Sequence, residues 1–159
     1  MKIPDECQRS LDAIVSTARR FLSEGKELQA MAFMGQFGAG FAPIPMDMAN
    51  KDRSAAFITA ICKCAKPDYV IMISEAWALS AQCIGAELER LAKTRESIAN
   101  HPDRIDVVMI TLETKEGNWI AQTPIKSLGG KRKMDDPEFL VFTGIEGRFA
   151  SFLPRGTQH

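Results

Sequence analysis

The chain has 159 residues, 45% of them apolar and 25% charged, and its 20 basic and 20 acidic side chains leave no formal net charge. A chain of this length fits one domain, residues 1–159, and buries about 70% of the surface its unfolded form exposes, so its core requires no disulfide or metal. The balanced charge supplies no field to recruit nucleic acid or an anionic membrane, no run approaches ~18 consecutive apolar residues, and the opening "MKIPDECQRSLD" lacks an apolar signal core. The expectation is a cytoplasmic protein with no membrane segment, in which Cys7, Cys62, Cys64 and Cys83 are thiols.

Pro4 and Asp5 open a predicted helix, with Asp5 and Gln8 at capping-box spacing. Cys7, Leu11, Ile14, Ala18 and Phe21 or Leu22 share one face of it, and Gly25 ends it. "KELQAMAFMGQF" alternates as a strand, and the glycine- and proline-rich "GQFGAGFAPIP" reads as loop. Asn50 caps a second predicted helix that runs to about Lys66, with Phe57, Ile58, Ile61, Cys62 and Ala65 as its apolar stripe and Pro67 as its stop. "YVIMIS" is apolar on both faces, as a covered central strand must be. Ile84, Leu88 and Leu91 then fall on one face of a helix over "IGAELERLAKTRES", which "NHPDR" breaks. Ile105 to Leu112 is a second strong strand, "KEGN" a turn in which Gly117 can take positive φ, and "WIAQTPI" the returning hairpin strand. "SLGGKRKMDDPE", residues 127–138, reads as a mobile loop, and "EFLVF" and "GRFASFL" as two short strands around "TGIEG". The sum is an α+β domain, its sheet antiparallel or mixed, with helices packed on at least one face.

The chemistry-bearing residues are sparse. On a helix Cys62 and Cys64 point about 200° apart, so they do not ligate one ion, and only two histidines occur, one of them terminal. "GQFGAGF" reverses the dinucleotide fingerprint and is followed by Pro43 and Pro45 where a helix should start, so no phosphate loop is expected. In "GGKRKMDD" three cations and two acids nearly cancel and no aromatic lies among them, which argues against a nucleic-acid footprint. Pro102-Asp103 and Glu113-Thr114-Lys115 match the loose pattern of metal-dependent nucleases. Residues 104–113 read as one unbroken strand, however, which holds those acids about 33 Å apart.

Glu75 poses the sharper question, because it follows a buried strand. If the strand continues to Trp77, then Tyr69, Ile71, Ile73, Glu75 and Trp77 share one face, and a carboxylate there must find a partner or a proton. Three readings stand side by side. Ser74 ends the strand and caps a helix, Glu75 pairs with Arg104, or Glu75 does chemistry. Antiparallel pairing of 69–75 with 105–112 brings Glu75 toward His101, Asp103 and Arg104. Such a Glu–His–Asp cluster could hold a metal or move protons. The simpler arrangement has Pro102 start a turn, Asp103 cap it and Arg104 neutralise Glu75.

"YVIMISEAW" and "HPDRIDVVMITLETKEG" together resemble a loose group of small bacterial and phage proteins, over roughly residues 50 to 123. In that group an apolar strand ends in an acid-alanine-tryptophan step, and a PDR turn precedes a second strand and a charged glycine turn. The resemblance implies no activity. It suggests a phage link and a looser linker where this chain reads as helix at 84–96.

The expected function is therefore a non-catalytic accessory or binding protein of the cytoplasm, without cofactor or metal. Its partner is another protein or a second copy in a homodimer, and Glu75, Trp77, His101 and Arg104 form its contact region. The alternative is a small metal-assisted hydrolase using Glu75, His101 and Asp103.

Overall fold

The apolar spacing of the first helix decides which sheet face it covers. In the computed structural model, which describes residues 1–79, 90, 94, 101–143 and 152–153, α1 spans Asp5–Ser23 and buries Cys7, Leu11, Ile14, Val15, Ala18 and Leu22. The expected capping box does not form. Pro4 takes the cap position, so Asp5 becomes the first helical residue, where its charge suits the helix dipole and pairs with Lys2. Gly25, at φ +74°, closes the other end. Lys26 N donates to Phe21 O and Gly25 N to Leu22 O, the paired bonds of a Schellman motif.

β1 (Met31–Gln36) pairs antiparallel with β2 (Gly40–Pro45), so the loop expected at 35–45 is a short turn and a strand. The prolines misled because their cost depends on which way the amide points. Met46 N donates to Ala30 O, so even-numbered amides face β1 and positions 43 and 45 face outward, where a missing N–H costs nothing. The turn is pinned from outside: Asp68 accepts from Phe37 N at 2.7 Å and Glu6 from Gly38 N at 2.8 Å.

α2 (Lys51–Ala65) ends in a left-handed Lys66, φ +48°, before Pro67. It buries only Ala55, Ile58 and Cys62, whereas Phe57, expected in the stripe, is 56% exposed. β3 (Tyr69–Leu79) separates two cores. Tyr69, Ile71 and Ile73 pack under α1, and Val70 and Met72 pack with Ile58 and Cys62 of α2. The two faces are thus covered by different helices, which is why this strand is apolar throughout its first half.

β4 (Arg104–Thr114) and β5 (Asn118–Leu128) continue the antiparallel sheet. Gly117 does not take positive φ in their turn. Thr114 organises it instead: its hydroxyl donates to Gly117 O and accepts from the amides of Glu116 and Gly117. A Cβ at Gly117 would lie 2.8 Å from the Sδ of exposed Met1, which can swing aside, and 3.3 Å from the buried Trp119 ring, a tight contact.

The segment expected as a mobile loop at 127–138 begins as a hairpin. Gly129 and Gly130 have φ +59° and +79°, the two positive values a tight two-residue turn demands, and β6 (Lys131–Met134) returns along β5. β7 (Leu140–Phe142) rejoins the same side of β5. Between Ile125↔Met134 and Ile120↔Leu140 the outer chain uses six steps against five, so the intervening charged stretch forms a bulged edge. The sheet order is β2-β1-β3-β4-β5-β6, with β7 on β5. The result is a single α+β domain with an antiparallel sheet and a helix on each face.

The helix expected at 84–96 lies outside the described residues except for Arg90 and Thr94, both helical, with the Thr94 hydroxyl donating to Arg90 O. "GRFASFL" also lies outside them except for Phe152 and Leu153, which are buried in the α2-side core. No described helix is long and apolar enough to cross a membrane.

Candidate functional site

β3 and β4 lie side by side and antiparallel, and their register locates every candidate residue. Glu75 faces Val108, Trp77 faces Asp106 and Leu79 faces Arg104. Ser74 lies inside β3 opposite Met109, so it caps no helix, and the strand carries Glu75 onward in its interior. The polarity that looked like a strand end is an ion-pair position.

The Glu75 carboxylate is fully engaged. One oxygen pairs with the guanidinium of Arg132 on β6, and the other accepts from Leu28 N at 2.9 Å. Both side chains are largely shielded, at 22% and 24% exposure. This junction spans the sheet. The β5–β6 hairpin folds over the α1-side face, where Met134 enters the core, and Arg132 reaches β3 past two intervening strands. Leu28 ties the chain between α1 and β1 to the same point. The role is architectural: one acid joins three segments.

A partly buried pair of this kind lies between the surface and buried limits. Glu75→Ala is expected to lower unfolding free energy by about 2 kcal/mol, because it orphans both Arg132 and the Leu28 amide. Arg132→Ala should cost about half that, and the double variant should show coupling of about 1 kcal/mol in urea unfolding. Strict additivity would mean that the pair does not form in solution.

Arg104, the expected partner of Glu75, instead lays its guanidinium 4.9 Å from the centre of the Trp77 ring. Trp77 is 49% exposed and Arg104 is also exposed. No ion pair to Arg104 occurs among the described residues. His101 turns back on its own loop, its Nδ1 accepting from Asp103 N at 3.1 Å and its carbonyl from Arg104 N. Asp103 is exposed, and the five residues from it to Val108, opposite Glu75, span about 16 Å. Trp77 and Arg104 therefore meet, His101 and Asp103 are neighbours, and Glu75 stands apart from both. Among the described residues no three His, Cys, Asp or Glu side chains gather in a group that could hold a metal.

The buried hydroxyls and thiols are packing groups. Ser10 Oγ and the Tyr69 hydroxyl share a 2.8 Å hydrogen bond under α1, and burial raises the Tyr69 pKa. Burial likewise pushes the Cys7 and Cys62 thiols up to about 11, which removes the thiolate a nucleophile needs. A cleft of about 470 Å³ runs between α1 and residues 136–139, lined by Leu11, Val15 and Phe139 and rimmed by Arg19 paired with Asp136. It contains no histidine or cysteine; its polar lining is Gln8, Asp12, Ser16, Arg19 and Asp136.

Arg132 is the residue that sequence reasoning missed. It sat within "KRK", where the charges looked solvated. The available signal was the adjacent Gly-Gly, which makes a hairpin and so brings β6 over the sheet face. Comparison with family models, with curated proteins and with solved structures gives no match.

Proposed function

We propose that the chain is a non-catalytic accessory or binding protein of the cytoplasm, and that Trp77 and Arg104 are the centre of its contact surface. The supporting observation is an exposed indole carrying a stacked guanidinium that has no ion-pair partner among the described residues. Tryptophan and arginine dominate binding energetics when a partner seals them from water. Stacking orders Arg104 in advance, so less side-chain entropy is lost when its donor fork meets a carboxylate. Asp106, the acid opposite Trp77, makes no ion pair with Arg104 among the described residues, and Glu75 is already neutralised by Arg132.

Panning a displayed random peptide library against the native protein tests this reading. Acidic–apolar peptides should be enriched, and Trp77→Ala and Arg104→Gln should each weaken them at least tenfold while leaving the urea midpoint within about 0.5 kcal/mol of wild type, as befits exposed positions. Enriched peptides that bind both variants undiminished would place the contact surface elsewhere.

A further inference from the structure

The two helical layers are anchored unequally. α1 contributes seven buried residues, whereas α2 contributes three, Ala55, Ile58 and Cys62. Phe152 and Leu153, both almost fully buried, complete the α2-side core. Among the described residues their polar tie to the body of the protein is the Glu113 carboxylate, which accepts from both of their amides. Glu113 is in register with Val70 across β3 and β4, so the two side chains share the α2-side face. Cys62 belongs to the same cluster and has no exposed surface. Its thiol also feels the Glu113 charge, which adds to burial in raising its pKa. The apolar pair, the carboxylate that holds it and the thiol are therefore neighbours.

We propose that Phe152 and Leu153 form a releasable strap, which lifts from Glu113 while the sheet and the α1 layer stay folded and so uncovers Cys62. Lifting the strap breaks two hydrogen bonds to one side chain and exposes two apolar side chains. Global unfolding must in addition empty the α1-side core, with Tyr69, Trp119, Leu11 and Leu22 in it. Segments held by few contacts open at a lower free energy than the whole domain, in cooperative units. In the lifted state the face beside α2 presents Ile58, Val70 and Cys62 around a carboxylate with both oxygens vacated. The strap is the occupant that fits this face, with two successive amides for the two oxygens and two apolar side chains for the groove. The resting fold therefore keeps the groove closed.

Cys7 supplies the internal control. It is as fully buried as Cys62, and burial raises its thiol to the same value, about 11, but it lies under α1. The two thiols thus differ chiefly in which layer covers them.

The full chain is treated with excess N-ethylmaleimide in native buffer and in rising sub-denaturing urea, and mass spectrometry of the cysteine peptides reads each thiol. Exposed Cys64 should react first. Cys62 should follow at least tenfold faster than Cys7, with a shallow urea dependence, because little surface opens. Cys7 should show the steep dependence of global unfolding. Glu113→Gln should speed Cys62 about tenfold. Val15→Ala, which loosens the α1 layer, should speed Cys7 and leave Cys62 unchanged. If Cys62 reacts in step with Cys7, or if Val15→Ala speeds both alike, Cys62 is reached only through global unfolding and the strap is overturned. A fast Cys62 that is indifferent to Glu113→Gln overturns it as well, because α2 would then be the moving part.

Discussion

Gly35→Ala is expected to cost about 3 kcal/mol or more, and to leave the chain unfolded at modest urea. Gly35 sits in β1 directly opposite Tyr69, and an added Cβ would lie 1.9 Å from Cζ and 2.4 Å from both Cε atoms of that ring. The ring has nowhere to go. It is fully buried, its hydroxyl is bound to Ser10, and Phe37 lies on it with centroids 5.8 Å apart. Displacing it strains the core and breaks a buried hydrogen bond, two penalties of about 1–3 kcal/mol each. Gly35 has no positive φ, so the entropic benefit of alanine, about 0.4–1 kcal/mol, acts in the opposite direction and loses. Gly38→Ala is the control: its φ is +80° and nothing lies within 4 Å, so only backbone strain of about 1 kcal/mol applies. Urea unfolding should separate the two variants clearly, and Gly35→Ala/Tyr69→Ala should be less destabilised than the sum of its parts. If Gly35→Ala and Gly38→Ala prove equal, the ring does not rest on the β1 backbone.

Gly35 also illustrates what the sequence could and could not disclose. It begins "GQFGAGF", whose glycines read as loop, yet its meaning depends on a tyrosine 34 residues later. Elements whose signal is local were legible. The α1 stripe follows the 3.6-residue period, and β3 and β4 announce themselves by apolar residues on both faces. β2 and β6 were not legible, because whether a proline or a lysine suits a strand depends on which edge it occupies, a fact of topology. Glu75 was rightly singled out as an acid needing a partner, but Arg132 lies 57 positions away and no periodicity links them. Trp77 and Arg104 meet because Leu79 is in register with Arg104, which follows once the two strands are known to be adjacent.

Glu113→Ala is the second substitution with a large expected effect, and it bears on the acid that the nuclease-like spacing had picked out. Glu113 lies near the far end of unbroken β4 from Asp103, so the two acids share no ion site. Its carboxylate serves the chain's own backbone. One oxygen accepts from Phe152 N at 3.0 Å and the other from Leu153 N at 2.9 Å. Those two residues are 5% and 4% exposed and pack with Val70, Ile58 and Cys62 in the core under α2. Consecutive amides on one carboxylate form a clasp that fixes where the Phe152 ring and the Leu153 side chain enter. Hydrogen bonds to a charged acceptor contribute about 1.5–3 kcal/mol each, so Glu113→Ala should cost about 3 kcal/mol. Glu113→Gln keeps one acceptor oxygen and should cost about half as much. Amide hydrogen exchange gives the specific readout: protection of Phe152 and Leu153 should fall about a hundredfold in Glu113→Ala, as a loss near 3 kcal/mol requires. Phe152→Ala, which leaves the clasp but empties the core, should lower stability by about 3 kcal/mol as well, and its effect should be far from additive with Glu113→Ala. Full protection of both amides in Glu113→Ala would mean that apolar packing alone seats them and that the carboxylate is incidental.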